Sequence, residues 1–186
     1  KCGGLEPGFL ICGVPIDFGR SFHLGQGDSF VVEGDEYDTA YFDKGPKFLH
    51  YVPQVAVVGN VEFDHADIYP DLEAVKRAFR LFVRLVPRNG LLVVGSESEI
   101  VTEIAAEAFC PVTTFSTEAE ADWKADILEA SEEGSRLRIF CREREVFEVL
   151  APVWGRVGVR NLLAAAAVGA HFGISSADLG EALGSF

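Results

Sequence analysis

The sequence predicts an α/β domain: a mostly parallel sheet flanked by helices, with an antiparallel meander at its edge. Three observations carry this. Apolar strands and amphipathic helices alternate in β-α-β-α-β order between Val55 and Phe115, which argues for parallel strands joined by helical crossovers. After Ala121 the texture changes to three longer segments separated by turns, the pattern of antiparallel neighbours. Two apolar runs also stop abruptly on polar and acidic residues, and the carboxyl ends of strands are where open α/β sheets bind ligands.

Taken in order, residues 9–14 read as a short strand closed by Gly13 and Pro15. A glycine-rich loop over 17–27 carries Arg20 and His23. Phe30, Val31 and Val32 then form a buried strand that ends on Glu33, with GDEYD behind it. Gly45 and Pro46 predict a turn, and Phe48, Leu49 and Tyr51 are expected to pack. Val55, Ala56, Val57 and Val58 make a continuous apolar run, expected to be a central parallel strand covered on both faces. Gly59 and Asn60 break it, and Glu62, Asp64, His65 and Asp67 follow. If the strands ending at Glu33 and Asn60 are neighbours, Glu33 and His65 face one cleft.

Pro70 and Asp71 signal a helix start. Leu72, Val75, Phe79, Phe82 and Val86 then recur at spacings of three and four. Lys76, Arg77, Arg80 and Arg84 lie largely off that face, which reads as solvated. Residues 87–90 end the helix, and 91–94 are the next strand. A helix over 99–109 turns Ile100, Ile104, Ala105 and Ala108 inward, and 112–115 is another strand. Residues 123–129, 136–142 and 145–153 are the meander. An alanine-rich helix over 162–172 stops at Gly173. A last short helix from Ser176 carries Leu179 and Leu183.

Composition bounds the chemistry. The chain has 186 residues, 48% of them hydrophobic, enough for one domain with a core. No apolar run approaches a membrane span. A net charge of −13 argues against general nucleic-acid binding. Cys2, Cys12, Cys110 and Cys141 have no paired spacing and are expected to be reduced, mostly buried thiols in a cytoplasmic protein. Met is absent and the sequence stops at GEALGSF, which suggests a piece of a longer chain.

Carboxylates with one histidine, as in EFDHAD, suit a divalent cation, and oxygen-rich ligation favours Mg²⁺ or Mn²⁺ over Zn²⁺. The alternative is a solvated acidic loop. Glu33, ending an apolar strand, would be costly to bury unless paired or metal-bound. Asp35, Glu36 and Asp38 read mostly as loop acids, and His23, His50 and His171 as structural, with His23 the best exception. No GxxxxGK[ST] loop and no GxSxG elbow occur.

The stretches FVVEGDEYDTAYFDKGPKFLHY, NVEFDHADIYPDL and NLLAAAAVGAHFGIS resemble the central, P-loop-NTPase-like domain of the Mur ligases, over nearly the whole chain from Pro7. The resemblance implies an ATP-dependent amide ligase of peptidoglycan recycling that joins a cell-wall peptide to UDP-N-acetylmuramate, with Mg²⁺ as cofactor. An alanine-adding or folylpolyglutamate-synthase-like ligase is the nearest alternative, and a non-catalytic Mur-fold binding domain is an alternative of another class. By the same resemblance Glu33 and His65 match the metal-binding and catalytic positions, and Asn161 a nucleotide contact. Asn60, His23 and Gly13 then fall beside the substrate. The family's phosphate loop is expected upstream of Lys1 and its C-terminal domain beyond Phe186, so residues 1–186 would be a central domain inactive alone. The family's His-Asn pair ahead of Asn161 is replaced by Val157 and Gly158. The place of the carbamylated lysine used by some members falls near Arg80, so that modification is not expected.

Overall fold

The computed structural model describes residues 3–35, 37–63 and 68–185. A six-stranded sheet holds β6 (Val55–Val58), β7 (Leu91–Gly95), β8 (Val112–Ser116), β9 (Trp123–Ser131), β10 (Gly134–Cys141) and β11 (Arg144–Ala151) in that spatial order. Strands β6 to β9 run parallel, while β9, β10 and β11 form the antiparallel meander. Ahead of them, β1 (Gly8–Leu10), β2 (Phe22–His23) and β3 (Phe30–Val32) make a separate sheet in the order β2-β1-β3. A hairpin of β4 (Asp38–Ala40) and β5 (Asp43–Pro46) leads into a 3-10 turn at Lys47–His50. Four α-helices are formed among the described residues: α1 (Leu72–Leu85), α2 (Glu99–Ala105), α3 (Gly155–His171) and α4 (Ser176–Gly184).

Side-chain alternation along β7 divides the core in two. Leu92 and Val94 join Val75, Phe79, Phe82, Val83, Val101 and Ile104 under α1 and α2. Leu91 and Val93 face the other way, with Phe115, Leu137, Ile139, Val159, Leu163 and Ala166 under α3. Helices therefore cover both faces of the sheet. Phe48 stacks on Phe79 and Phe82 at 5.2 and 4.8 Å, which ties the hairpin region to α1.

Helix α1 starts where expected. The Asp71 side chain accepts the Ala74 N–H at 2.8 Å, satisfying one of the orphan donors of the first turn. Asp71→Ala is expected to cost about 1 kcal/mol of stability, read from urea denaturation. The basic face of α1 is not simply solvated. Lys76 pairs with Glu103 at 2.7 Å, Arg84 with Glu107 at 2.7 Å and Arg80 with both, so the cations fasten α1 to α2 and its flank.

Several expectations are corrected. Strand β6 is the outer strand of its sheet among the described residues, and Val57 is 47% exposed. Strand β3 is neither buried nor beside β6: it pairs with β1, and Phe30 and Val31 are exposed. A short run of β-branched residues suits an edge strand and a doubly covered one alike. Gly45 and Pro46 lie in β5, and the turn is at Tyr41 and Phe42. Tyr51 is exposed. Helix α2 stops at Ala105, where bonds of 3-10 type take over before Pro111. Helix α3 begins at Gly155 rather than 162, because Val159 already faces the core.

The hairpin turns explain themselves only in part by composition. Gly134 opens β10 at φ +134°, and a Cβ there would collide with the Ala151 carbonyl, so glycine is required. Arg142 and Glu143 both adopt positive φ without glycine, the geometry that matches the twist of a two-residue hairpin. Among the described cysteines all are free; Cys110 is buried, Cys141 half-buried and Cys12 exposed, so burial is less general than expected. No helix among the described residues is long and apolar enough to cross a membrane.

Candidate functional site

The small sheet gathers three of the residues singled out in the sequence. Pairing of β1 with β3 places Leu10 against Val32, so the residues after both strands emerge side by side. There the Cys12 N–H donates to Glu33 Oε2 at 2.6 Å, and the Glu33 N–H donates to the Leu10 carbonyl at 3.1 Å. Gly13 follows at φ +78°, a conformation suited to glycine, with open space around it. The Glu33 charge beside it, with a smaller effect of burial, pushes the Cys12 thiol up from its ordinary value. His23 lies opposite Phe9 on β2, its ring 5.9 Å from the phenyl centroid.

Glu33 is exposed, so burial does not force it to find a partner. The acids behind it are engaged locally, as loop acids should be. Asp35 pairs with Lys47 at 2.9 Å and Asp38 with Lys44 at 2.6 Å. Glu36 lies outside the described residues.

Asn60 stands at the carboxyl end of β6. Its Nδ2 donates to Glu62 Oε1 at 2.6 Å and its Oδ1 accepts the Val61 N–H at 3.0 Å, which fixes the amide. No strand pairing, hydrogen bond or ion pair joins Glu33 to Asn60 among the described residues. His65, Asp64 and Asp67 lie outside the described residues, so the expected Glu33–His65 cleft is carried only by Glu33. Asn161 is exposed on α3. Gly158 approaches Val153 closely enough that a Cβ would sit 3.1 Å from the valine Cβ, and Val157 points outward, 62% exposed. Arg80, held between Glu103 and Glu107, is engaged structurally.

Among the described residues no three His, Cys, Asp or Glu side chains gather as a metal site. Glu33 offers one exposed carboxylate with an oxygen already committed to Cys12. Such a donor suits Mg²⁺, which takes one or two carboxylates and fills its shell with water and phosphate oxygens. It does not suit Zn²⁺, which wants several His or Cys ligands.

One carboxylate at the carboxyl edge of the six-stranded sheet is not singled out by the sequence. Glu97 follows β7, half-buried. Its Oε1 accepts the Thr117 N–H at 2.7 Å and the Ser116 and Thr117 hydroxyls, each at 2.9 Å; its Oε2 accepts Arg160 Nη1 at 2.5 Å. Burial alone would raise its pKa. The hydrogen bonds outweigh burial and hold it at about 2. The signal was available: SES behind the buried LLVVG strand repeats the strand-then-acid pattern seen at Glu33.

The Mur ligase middle domain model matches residues 24–169. The UDP-N-acetylmuramate–L-alanyl-gamma-D-glutamyl-meso-2,6-diaminoheptandioate ligase of Escherichia coli (strain K12) is 39% identical over 183 residues, 98% of this chain and 39% of that protein. The UDP-N-acetylmuramate–L-alanine ligase of Bordetella avium is 34% identical over 191 residues, 99% of this chain and 39% of that protein. The crystal structure of the UDP-N-acetylmuramate:L-alanyl-gamma-D-glutamyl-meso-diaminopimelate ligase from Neisseria meningitides superposes with a TM-score of 0.89 at 39% identity. That match covers 100% of this chain and 59% of the other. The chain thus spans about two-fifths of the length of the curated relatives it matches.

Proposed function

The chain belongs to the Mur ligase family, as a middle domain, and from that premise we propose that it serves an ATP-dependent ligase joining L-alanyl-γ-D-glutamyl-meso-diaminopimelate to UDP-N-acetylmuramate. The observation that carries this reading is the 39% identity over 98% of the chain with a ligase of that name, against 34% for the alanine-adding relative. The relatives are much longer, so catalysis is assigned to a longer protein. In it the chain works with a phosphate-cradling loop and a C-terminal domain, in the cytoplasm where murein peptides are recycled.

In such a ligase a carboxylate is activated by phosphoryl transfer and then attacked by an amine. The protein's share is positioning and charge neutralisation. Mg²⁺, when bound, supplies the positive charge that offsets the phosphoryl oxygens. Glu33 is the residue of this chain that would hold it, with His65 as the second ligand. The Cys12 N–H fixes one Glu33 oxygen and so aims the other. Gly13 leaves open space beside that carboxylate for a substrate to approach, and His23 stands on the same small sheet, its ring tilted against Phe9. Asn60, its amide held by Glu62 and Val61, presents a fixed polar group at the strand end beside the substrate. Asn161, exposed on α3, is the nucleotide contact.

Calorimetric titration of the chain with UDP-N-acetylmuramate is expected to show binding that strengthens with Mg²⁺. In the longer ligase, Glu33→Ala is expected to cut the ligation rate by at least ~100-fold, the scale on which a single charge-stabilising group acts. Activity surviving within a few-fold would remove Glu33 from the metal role.

A further inference from the structure

We infer that Glu97 is a positioning residue for the nucleotide: by clasping Arg160 it holds the first turns of α3, which carry Asn161, against the carboxyl edge of the parallel strands. The inference rests on the nucleotide reading of Asn161 proposed above.

The carboxylate joins three elements. Glu97 leaves β7, Ser116 and Thr117 close β8, and Arg160 stands on α3. Its oxygens divide the work. Oε1 gathers the turn after β8 through the Ser116 hydroxyl and both Thr117 donors. Ser116 is fully buried, and its Oγ in turn accepts the N–H groups of Glu118 and Ala119 at 3.0 and 2.7 Å. Oε2 takes the guanidinium. Charge-assisted bonds of this kind are roughly twice as strong as neutral ones, and a network with every member satisfied holds one geometry.

The start of α3 needs such an anchor. Its N-cap, Trp154, makes no side-chain capping bond. Gly155 and Gly158 are weak helix formers in its first turns. Arg156 pairs with Glu118, but both side chains are mainly exposed, and surface pairs contribute little. Arg160 and Asn161 are consecutive, and successive helical residues keep a fixed angular offset. Fixing the Arg160 side chain to the sheet edge therefore fixes where Asn161 points.

The test is a titration of the longer ligase with Mg·ATP, followed by the backbone amide signals of α3 in nitrogen–proton correlation spectra, which register millimolar affinities. Glu97→Gln and Asn161→Ala are each expected to raise Kd about tenfold, and the double variant to be no weaker than Asn161→Ala alone, because both remove one contact. Glu107→Gln, which disturbs the α1–α2 side, is expected to leave Kd unchanged. Arg160→Lys keeps the charge but loses the planar fork; its Kd is expected to rise as well, and it serves as the second variant where Glu97→Gln fails to fold. Wild-type affinity in a folded Glu97→Gln, or losses that simply add in the double variant, would overturn the positioning role and leave the nucleotide reading intact. A folded wild-type ligase that shows no response of α3 to Mg·ATP would overturn the nucleotide reading, and the inference with it.

Discussion

Leu163→Ala is expected to lower the unfolding free energy by about 2–5 kcal/mol, the range for emptying a fully buried leucine site. Leu163 has no solvent exposure and sits on the inner face of α3. It packs in the cluster that holds Leu91, Val93, Phe115, Leu137 and Ile139. That cluster draws on β7 and β8 of the parallel half and on β10 of the meander, so α3 bridges the two parts of the sheet. Stiff β-branched and aromatic neighbours on paired strands cannot move far into a void, which places the cost in the upper part of the range. Urea denaturation at neutral pH, with Ala165→Gly on the exposed side of the same helix as control, checks it. The control should cost about 1 kcal/mol through helix propensity alone. A loss for Leu163→Ala no greater than the control's would mean that α3 does not close this core.

The parallel half was legible because its signals are local. The spacing of Val75, Phe79 and Phe82 declares one face of α1, and LLVV declares a strand, which the structure covers on both faces. What stayed hidden depends on pairing. VAVV and FVV look alike, yet one edges the main sheet and the other pairs with β1 in a separate sheet. No local property separates them; only the partner strand does. The α1 cations read as a solvated face because their partners, Glu103 and Glu107, lie on and just beyond the next helix. Glu33, Asn60 and His23 stand out by their places at a strand end or in a glycine-rich loop, but their roles, like those of Gly13 and Asn161, come from motif strings that resemble a family, a route independent of geometry. Glu97 carries only a weak local mark, since an acid between a strand and a helix is common. What marks it out is a turn 20 residues away and an arginine 63 residues away.

That separation makes Glu97 an acid-sensitive link between β7, the turn after β8 and α3. Its folded-state pKa is about 2, against an ordinary value of 4.5. A depressed acid contributes stability that is fully present above its unfolded pKa and is lost as pH falls through the folded one. The window here therefore runs from about pH 5 down to about pH 2. A shift of this size corresponds to roughly 3 kcal/mol, at 1.36 kcal/mol per unit. The side chain is only 15% exposed, so solvent screening removes little of it. Glu97→Gln keeps the shape and removes the charge, leaving Arg160 half-buried without its counter-ion. The variant is expected to be about 3 kcal/mol less stable at pH 7, with the gap narrowing steadily below about pH 5 and nearly closed near pH 2. Urea denaturation of both proteins across that range measures the gap directly. Stabilities that fall in parallel, with a constant gap, would mean that the acid sensitivity resides in other carboxylates and that the Glu97 network does not hold α3 to the sheet.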